Sequence, residues 1–153
     1  MYKELVIRSL KVLSFLFVAA GAIFVAIHWP ILPEKVPVHF GLFGEVDSWG
    51  PKWTVWLLPG SSLFLYALLN FAGGRAKTDK RYPNIKAVQS LIAWHQFTMS
   101  AMLFYMEWVT VNVALTHSGG LGVAFLPTVL AALFIPQLIF HLSGNRFQTA
   151  RRS

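Results

Sequence analysis

The chain has 153 residues, 56% of them hydrophobic and only 12% charged; soluble domains carry about a quarter charged residues, so this composition points to lipid. With no cysteine, it excludes a disulfide, a thiolate metal site and a cysteine nucleophile. The formal charge of +7, from 13 basic and 6 acidic residues, is spread along the chain in a way that speaks of membrane topology and not of nucleic acid.

A helix that crosses a bilayer needs about 20 mostly apolar residues, and four segments qualify. The first, residues 12–29, follows Lys3, Arg8 and Lys11, a start that resembles a secretory signal with "VAAGA" as a cleavage site. The apolar run continues through "IFVAIHW", as a retained span should. Residues 30–52 then form a loop of different character. Pro30, Pro33 and Pro37 impose extended backbone, Gly41, Gly44 and Gly50 allow tight turns, and Glu45 and Asp47 project from the turn region. Lys52 stands at the entrance to the next span, where an ammonium can snorkel to headgroups. Trp29, Trp49, Trp53 and Trp56 cluster where this loop would meet an interface.

The second span, residues 53–72, carries Ser62, Tyr66 and Asn70 at successive i, i+4 positions, a polar face suited to hydrogen bonds between helices. A basic inner loop, residues 73–87, contains Gly73-Gly74 and the turn chemistry of Tyr82-Pro83-Asn84. The third span, residues 88–115, bears Gln89, Gln96, Ser100 and Glu107, which at about 100° per residue all fall within about 20° of the direction of Gln89 on the helix. That stripe should face other helices. His95 lies off the stripe and reads as a packing histidine. The fourth span, residues 121–142, contains Pro127 and Pro136, which can kink it and free backbone carbonyls. Residues 143–153 form a tail. The expected fold is an all-α integral membrane protein, one domain over residues 1–153, with a four-transmembrane-helix bundle and an ordered extracellular loop between helices 1 and 2.

Basic residues set the expected orientation, since they accumulate on the cytoplasmic side. Lys3, Arg8 and Lys11 precede span one, Arg75, Lys77, Lys80, Arg81 and Lys86 separate spans two and three, and Arg146, Arg151 and Arg152 close the chain. Only Lys35 and Lys52 fall in the first loop. Both termini should be cytoplasmic, with residues 30–52 outside the cell.

Glu107 is the only acidic residue inside a span. A charged residue at a membrane helix centre costs roughly 2.5–3.5 kcal/mol on insertion scales, so it should be neutral, paired or near the outer water. Lys52 is a candidate partner. Its functional reading is a proton-handling or ligand-binding carboxylate, and its structural reading is a residue that fixes helix packing. His28, His39, Glu45, Asp47, Glu107 and His117 could gather near the outer surface, but none forms the spaced pairs typical of zinc sites. No nucleophile elbow, phosphate-cradling loop or His-Glu-x-x-His helix occurs. No metal, cofactor or catalytic residue is therefore assigned.

The run "LPEKVPVHF", followed by Gly, Asp and Lys, resembles the signature of the bacterial family known as domain of unknown function 1648, also found at the N-terminus of SdpI-type immunity proteins. The matching positions are Leu32, Pro33, Val36, Pro37, His39, Phe40, Gly44, Asp47 and Lys52, and "RYPN" (residues 81–84) resembles a feature of small members. The chain departs from the pattern at Gly41, where members often carry Asn, and is shorter than the larger immunity proteins. The resemblance implies a bacterial or archaeal cytoplasmic-membrane protein and carries no reaction. It favours an outer loop that binds an extracellular peptide or a membrane-protein partner, as an immunity or signalling protein would. His39, Asp47, Lys52, Glu45 and Trp49 would supply the contacts or hold the loop's own fold, with His39 bonded to Asp47 and Asp47 to Lys52. Two alternatives stand beside it. One is an enzyme or transporter with a proton- or cation-handling site built on Glu107, Ser100 and Gln96. The other is an accessory subunit of a larger membrane complex.

Overall fold

The computed structural model describes residues 2–78 and 85–149, so "RYPN" and the basic residues Lys80, Arg81, Arg151 and Arg152 lie outside the described residues. Four helices and one hairpin account for almost all of it: α1 (Tyr2–His28), β1 (Lys35–Phe40), β2 (Val46–Pro51), α2 (Leu57–Thr78), α3 (Ile85–Thr116) and α4 (Phe125–Thr149). A short 3-10 turn, Trp29–Ile31, follows α1, and another, Lys52–Trp56, leads into α2. Among the described residues three segments are long and apolar enough to cross a membrane: Glu4–Ile31 (mean hydropathy 2.4), Lys52–Ala76 (1.5) and Phe125–Leu142 (1.9).

The third expected span behaves differently. Helix α3 has 32 residues, about 48 Å at about 1.5 Å per residue, so length is no obstacle, but it is not apolar enough to join the other three. The reason lies in its position. It packs chiefly against α1 and α2 and less against α4, and it buries Gln96, Ser100, Glu107 and Thr110. Polar groups that neighbouring helices shield lower a helix's hydropathy without facing lipid. Large apolar side chains such as Phe15, Leu16, Ile23, Leu63, Phe64, Phe134 and Ile135 point outward from the other three helices, the pattern of helices solvated by lipid.

Aromatic packing joins α1 to α3, where Phe17 lies against Phe97 and Phe104 with ring centroids 5.9 and 5.5 Å apart. At the far end from the hairpin, Lys86 of α3 and Glu4 of α1 form an exposed ion pair at 3.2 Å. The α3–α4 contact rests on a proline. Pro136 has no N–H to give the carbonyl of Ala132 four residues earlier, and the indole N–H of Trp94 donates to that carbonyl at 2.9 Å. His95 adds a longer contact, 3.5 Å from its Nε2 to Nε2 of Gln137. Trp94→Phe should therefore lower stability by about 1 kcal/mol, the usual worth of such a bond. In a Pro136→Ala background, where the helix restores its own donor, most of that loss should vanish. Thermal unfolding of the two single variants and the double variant in detergent checks this.

Beyond α1 the chain becomes the hairpin that "LPEKVPVHF" begins. Prolines exclude helix there, and the strands pair antiparallel with Val36 opposite Gly50 and Phe40 opposite Val46, broken by irregularities around His39. Val36 is fully buried with Val25 of α1, Leu32, Val55, and Val111 and Ala114 of α3. Phe40 and Val46 pack instead on Val109, Val113 and Leu121. The hairpin is thus seated on the bundle by both of its strands.

Candidate functional site

The hairpin tip is tied to the α3–α4 turn by backbone alone. Gly44 has φ +85°, a region glycine enters without steric cost, and its carbonyl accepts the Leu121 N–H at 2.8 Å. A Cβ at Gly44 would meet the backbone of Gly122, and one at Gly120 would meet the Gly44 carbonyl. The two loops touch because none of these residues has a side chain. The Tyr105 hydroxyl donates to the Leu121 carbonyl at 3.1 Å and completes the turn.

Between the seated hairpin and the tops of α2, α3 and α4 runs a groove of about 660 Å³. Leu57 and Leu58 of α2, Met106 and Thr110 of α3, and Phe125 and Leu126 of α4 form its apolar walls. Residues 37–42 of the hairpin and Asp47 form its roof. The only ionisable residues in this lining are His39 and Asp47. Their side chains meet at 2.6 Å, from Nδ1 to Oδ1, and both are well exposed. With Nδ1–H donated to the carboxylate, a neutral His39 keeps an acceptor lone pair on Nε2. The groove therefore offers a long apolar surface and one oriented polar pair.

The other expected loop contacts have different settings. Lys52 pairs with neither Asp47 nor Glu107; its ammonium lies 4.9 Å from the centroid of the Trp29 ring, an attraction between a cation and an aromatic face. Glu45 closes the hairpin turn, accepting the Phe43 N–H at 3.1 Å, and its carboxylate fills the space where Gly41 would carry a Cβ. That contact accounts for glycine at position 41. Trp49 faces the ring of His117 at 5.6 Å, and His117 adopts φ 53°, unusual for a residue with a side chain.

Glu107 is 1% exposed, and neither carboxylate oxygen has a hydrogen-bond partner. Its carboxylate occupies the notch left by Gly21 of α1. Ser100 is buried on the same face; Gln96 is fully buried, with Nε2 3.5 Å from the Tyr66 carbonyl and Oε1 without a partner. The Tyr66 carbonyl also accepts from Asn70 of its own helix at 3.0 Å, so α2 meets the stripe of α3 through a backbone carbonyl. Among the described residues no three His, Asp or Glu side chains come together as a metal site would require.

Sequence reasoning did not single out Thr110, Gly21 or the glycines at 120 and 122. "GGLG" (residues 119–122) carried a signal, since glycines clustered in a short turn announce close backbone approach.

Residues 16–63 match the model of the family described as Domain of unknown function (DUF1648). The match spans most of α1, the hairpin and the start of α2. With the apolar helices, it marks the chain as a membrane protein and assigns it no function. No curated protein and no solved structure matches the chain.

Proposed function

We propose that the chain crosses the cytoplasmic membrane four times with both termini inside, and that the hairpin and its groove bind an extracellular peptide or a segment of a membrane partner. Three points support the topology. Helices α2 and α4 run antiparallel to α3 by their contacts, Val55 with Val111 and Gln96 with Tyr66 on one side, Tyr105 with Phe125 and Trp94 with Ala132 on the other; α3 is long enough to follow its neighbours across the bilayer; and of the 13 basic residues only Lys35 and Lys52 fall in the hairpin loop. The binding reading is carried by one observation: a mostly apolar groove between the hairpin and the helix ends whose only ionisable residues are a hydrogen-bonded histidine and aspartate. Apolar clefts with a few placed polar groups are the usual form of ligand sites. His39 would accept a ligand N–H or O–H through Nε2, while Asp47 orients the ring and Leu57, Leu58 and Phe125 take apolar side chains.

The absence of native cysteine makes the test clean. In intact cells, Leu42→Cys on the hairpin tip should react with a membrane-impermeant maleimide added outside. Peptides from the producing culture's medium should slow that reaction. Asp47→Ala should weaken this protection about tenfold or more, in keeping with about 1.5–3 kcal/mol for a charge-assisted bond. Labelling only from the cytosol would overturn the topology. Full protection in both His39→Ala and Asp47→Ala would overturn the site.

A further inference from the structure

We propose that Glu107 is a proton-binding site inside the bundle, reached from the hairpin end of the molecule through the groove. A glutamate kept only for packing would be expected to bond a neighbouring carbonyl or hydroxyl, since buried polar groups are almost always satisfied. Here both oxygens are orphaned in a fully buried position, and what α1 sets against them is the side-chain-free notch at Gly21, which the carboxylate fills, instead of a donor. Unsatisfied acidic groups inside a membrane bundle are costly and tend to mark ion or proton pathways.

The path is supplied by the same helix. Met106 and Thr110 line the groove and flank Glu107 on α3, Thr110 one turn further toward the hairpin. The Thr110 hydroxyl is buried and able to both donate and accept. Ser100 and Gln96 continue the buried polar face in the other direction. Gln89 follows on the same stripe and lines a second cavity, of about 620 Å³, with Glu4, Arg8, Lys11 and Lys86.

The charged and titratable groups nearby are otherwise engaged. His28 of α1 shares a hydrogen bond of 2.8 Å with the Phe24 carbonyl, Lys52 lies over Trp29, and His39 and Asp47 hold each other on the groove's rim. Tyr105 donates to Leu121. Among the described residues neither carboxylate oxygen of Glu107 has a hydrogen-bond partner. Uptake is a simple transfer: hydronium gives its proton to the carboxylate, leaving a neutral carboxylic acid and water. The inference shares only the groove, as a route for water, with the reading above. Failure of peptide protection therefore leaves it standing.

The test is infrared titration of the full chain in lipid vesicles, with glutamate carbon-13 labelled at the side-chain carboxyl. The wild type should show one protonated carboxyl per chain, in a band distinct from hydrated carboxyls, that disappears as pH rises and returns as it falls. Glu107→Gln should lack that band. If Glu107→Gln does not fold, replacing the exposed Glu4, Glu34 and Glu45 by Gln leaves Glu107 as the sole glutamate, and the reversible band should remain. A band of constant intensity at every pH at which the protein stays folded would overturn the proposal. So would a titrating band that survives in Glu107→Gln, or the absence of any protonated carboxyl.

Discussion

Gly120→Val is expected to detach the hairpin from the α3–α4 turn. The new side chain must enter space held by the Gly44 carbonyl, and backbone on both sides cannot yield as a flexible side chain would. Overpacking of this kind costs about 1–3 kcal/mol, and loss of the Leu121–Gly44 hydrogen bond adds about 1 kcal/mol. The variant should lose about 2–4 kcal/mol in an unfolding assay, and its Leu121 amide should exchange with solvent far faster than in the wild type. Gly60→Ala is the matched control. A Cβ there meets nothing, and alanine favours helix by up to about 1 kcal/mol over glycine, so stability should hold or rise. An unchanged Gly120→Val protein would mean that the two loops do not touch.

The second large effect is expected at Gly21. Its Cβ would collide with the Glu107 carboxylate, so Gly21→Ala should lower stability by about 1–3 kcal/mol. The same substitution in a Glu107→Ala background should be nearly neutral, because the notch is then empty. The difference between the two backgrounds is the coupling energy of a double-mutant cycle, and residues in contact reach about 0.5–3 kcal/mol. Chemical unfolding of the four proteins in one detergent measures it. Simple additivity would place Glu107 somewhere other than against α1.

Much of the architecture could be read from hydropathy and punctuation. All four helices lie where the apolar runs fall, with ends displaced by the residues that frame them. Helix α1 begins at Tyr2 because nothing between the basic residues breaks the helix, whereas α2 begins only after Lys52–Trp56 has closed a 3-10 turn behind Pro51. The prolines announced extended chain for "LPEKVPVHF", and the structure makes of its later part the first strand of a hairpin, whereas Pro30 lies in the 3-10 turn Trp29–Ile31. Helix α3 shows what hydropathy reads poorly. The stripe that made it informative is also what lowers its apolar score, since polar groups turned inward and polar groups turned to water count alike.

The site was legible in part. Eight residues apart in a hairpin, His39 and Asp47 were natural partners, and they meet. Lys52 was paired on paper with carboxylates, but a tryptophan ring at the bundle's edge holds its ammonium, a choice that depends on three-dimensional proximity between Trp29 and the second loop end. The notch at Gly21 and the contact of Gly44 with Gly120 and Gly122 were beyond reach for a different reason. They are properties of pairs distant in sequence, and a glycine's significance lies in what occupies the place its side chain would take.

The seating of the hairpin also bears on where this protein can be divided. The family match ends at residue 63, yet Val36 and Val55 share their core with Val111 and Ala114, and the Gly44 carbonyl finds its donor at Leu121. A fragment cut at the edges of the matched segment would expose that core and strand that carbonyl. The recognisable signature is thus one half of a lock whose other half is written some sixty residues downstream, and grafts between relatives would need to carry both halves together.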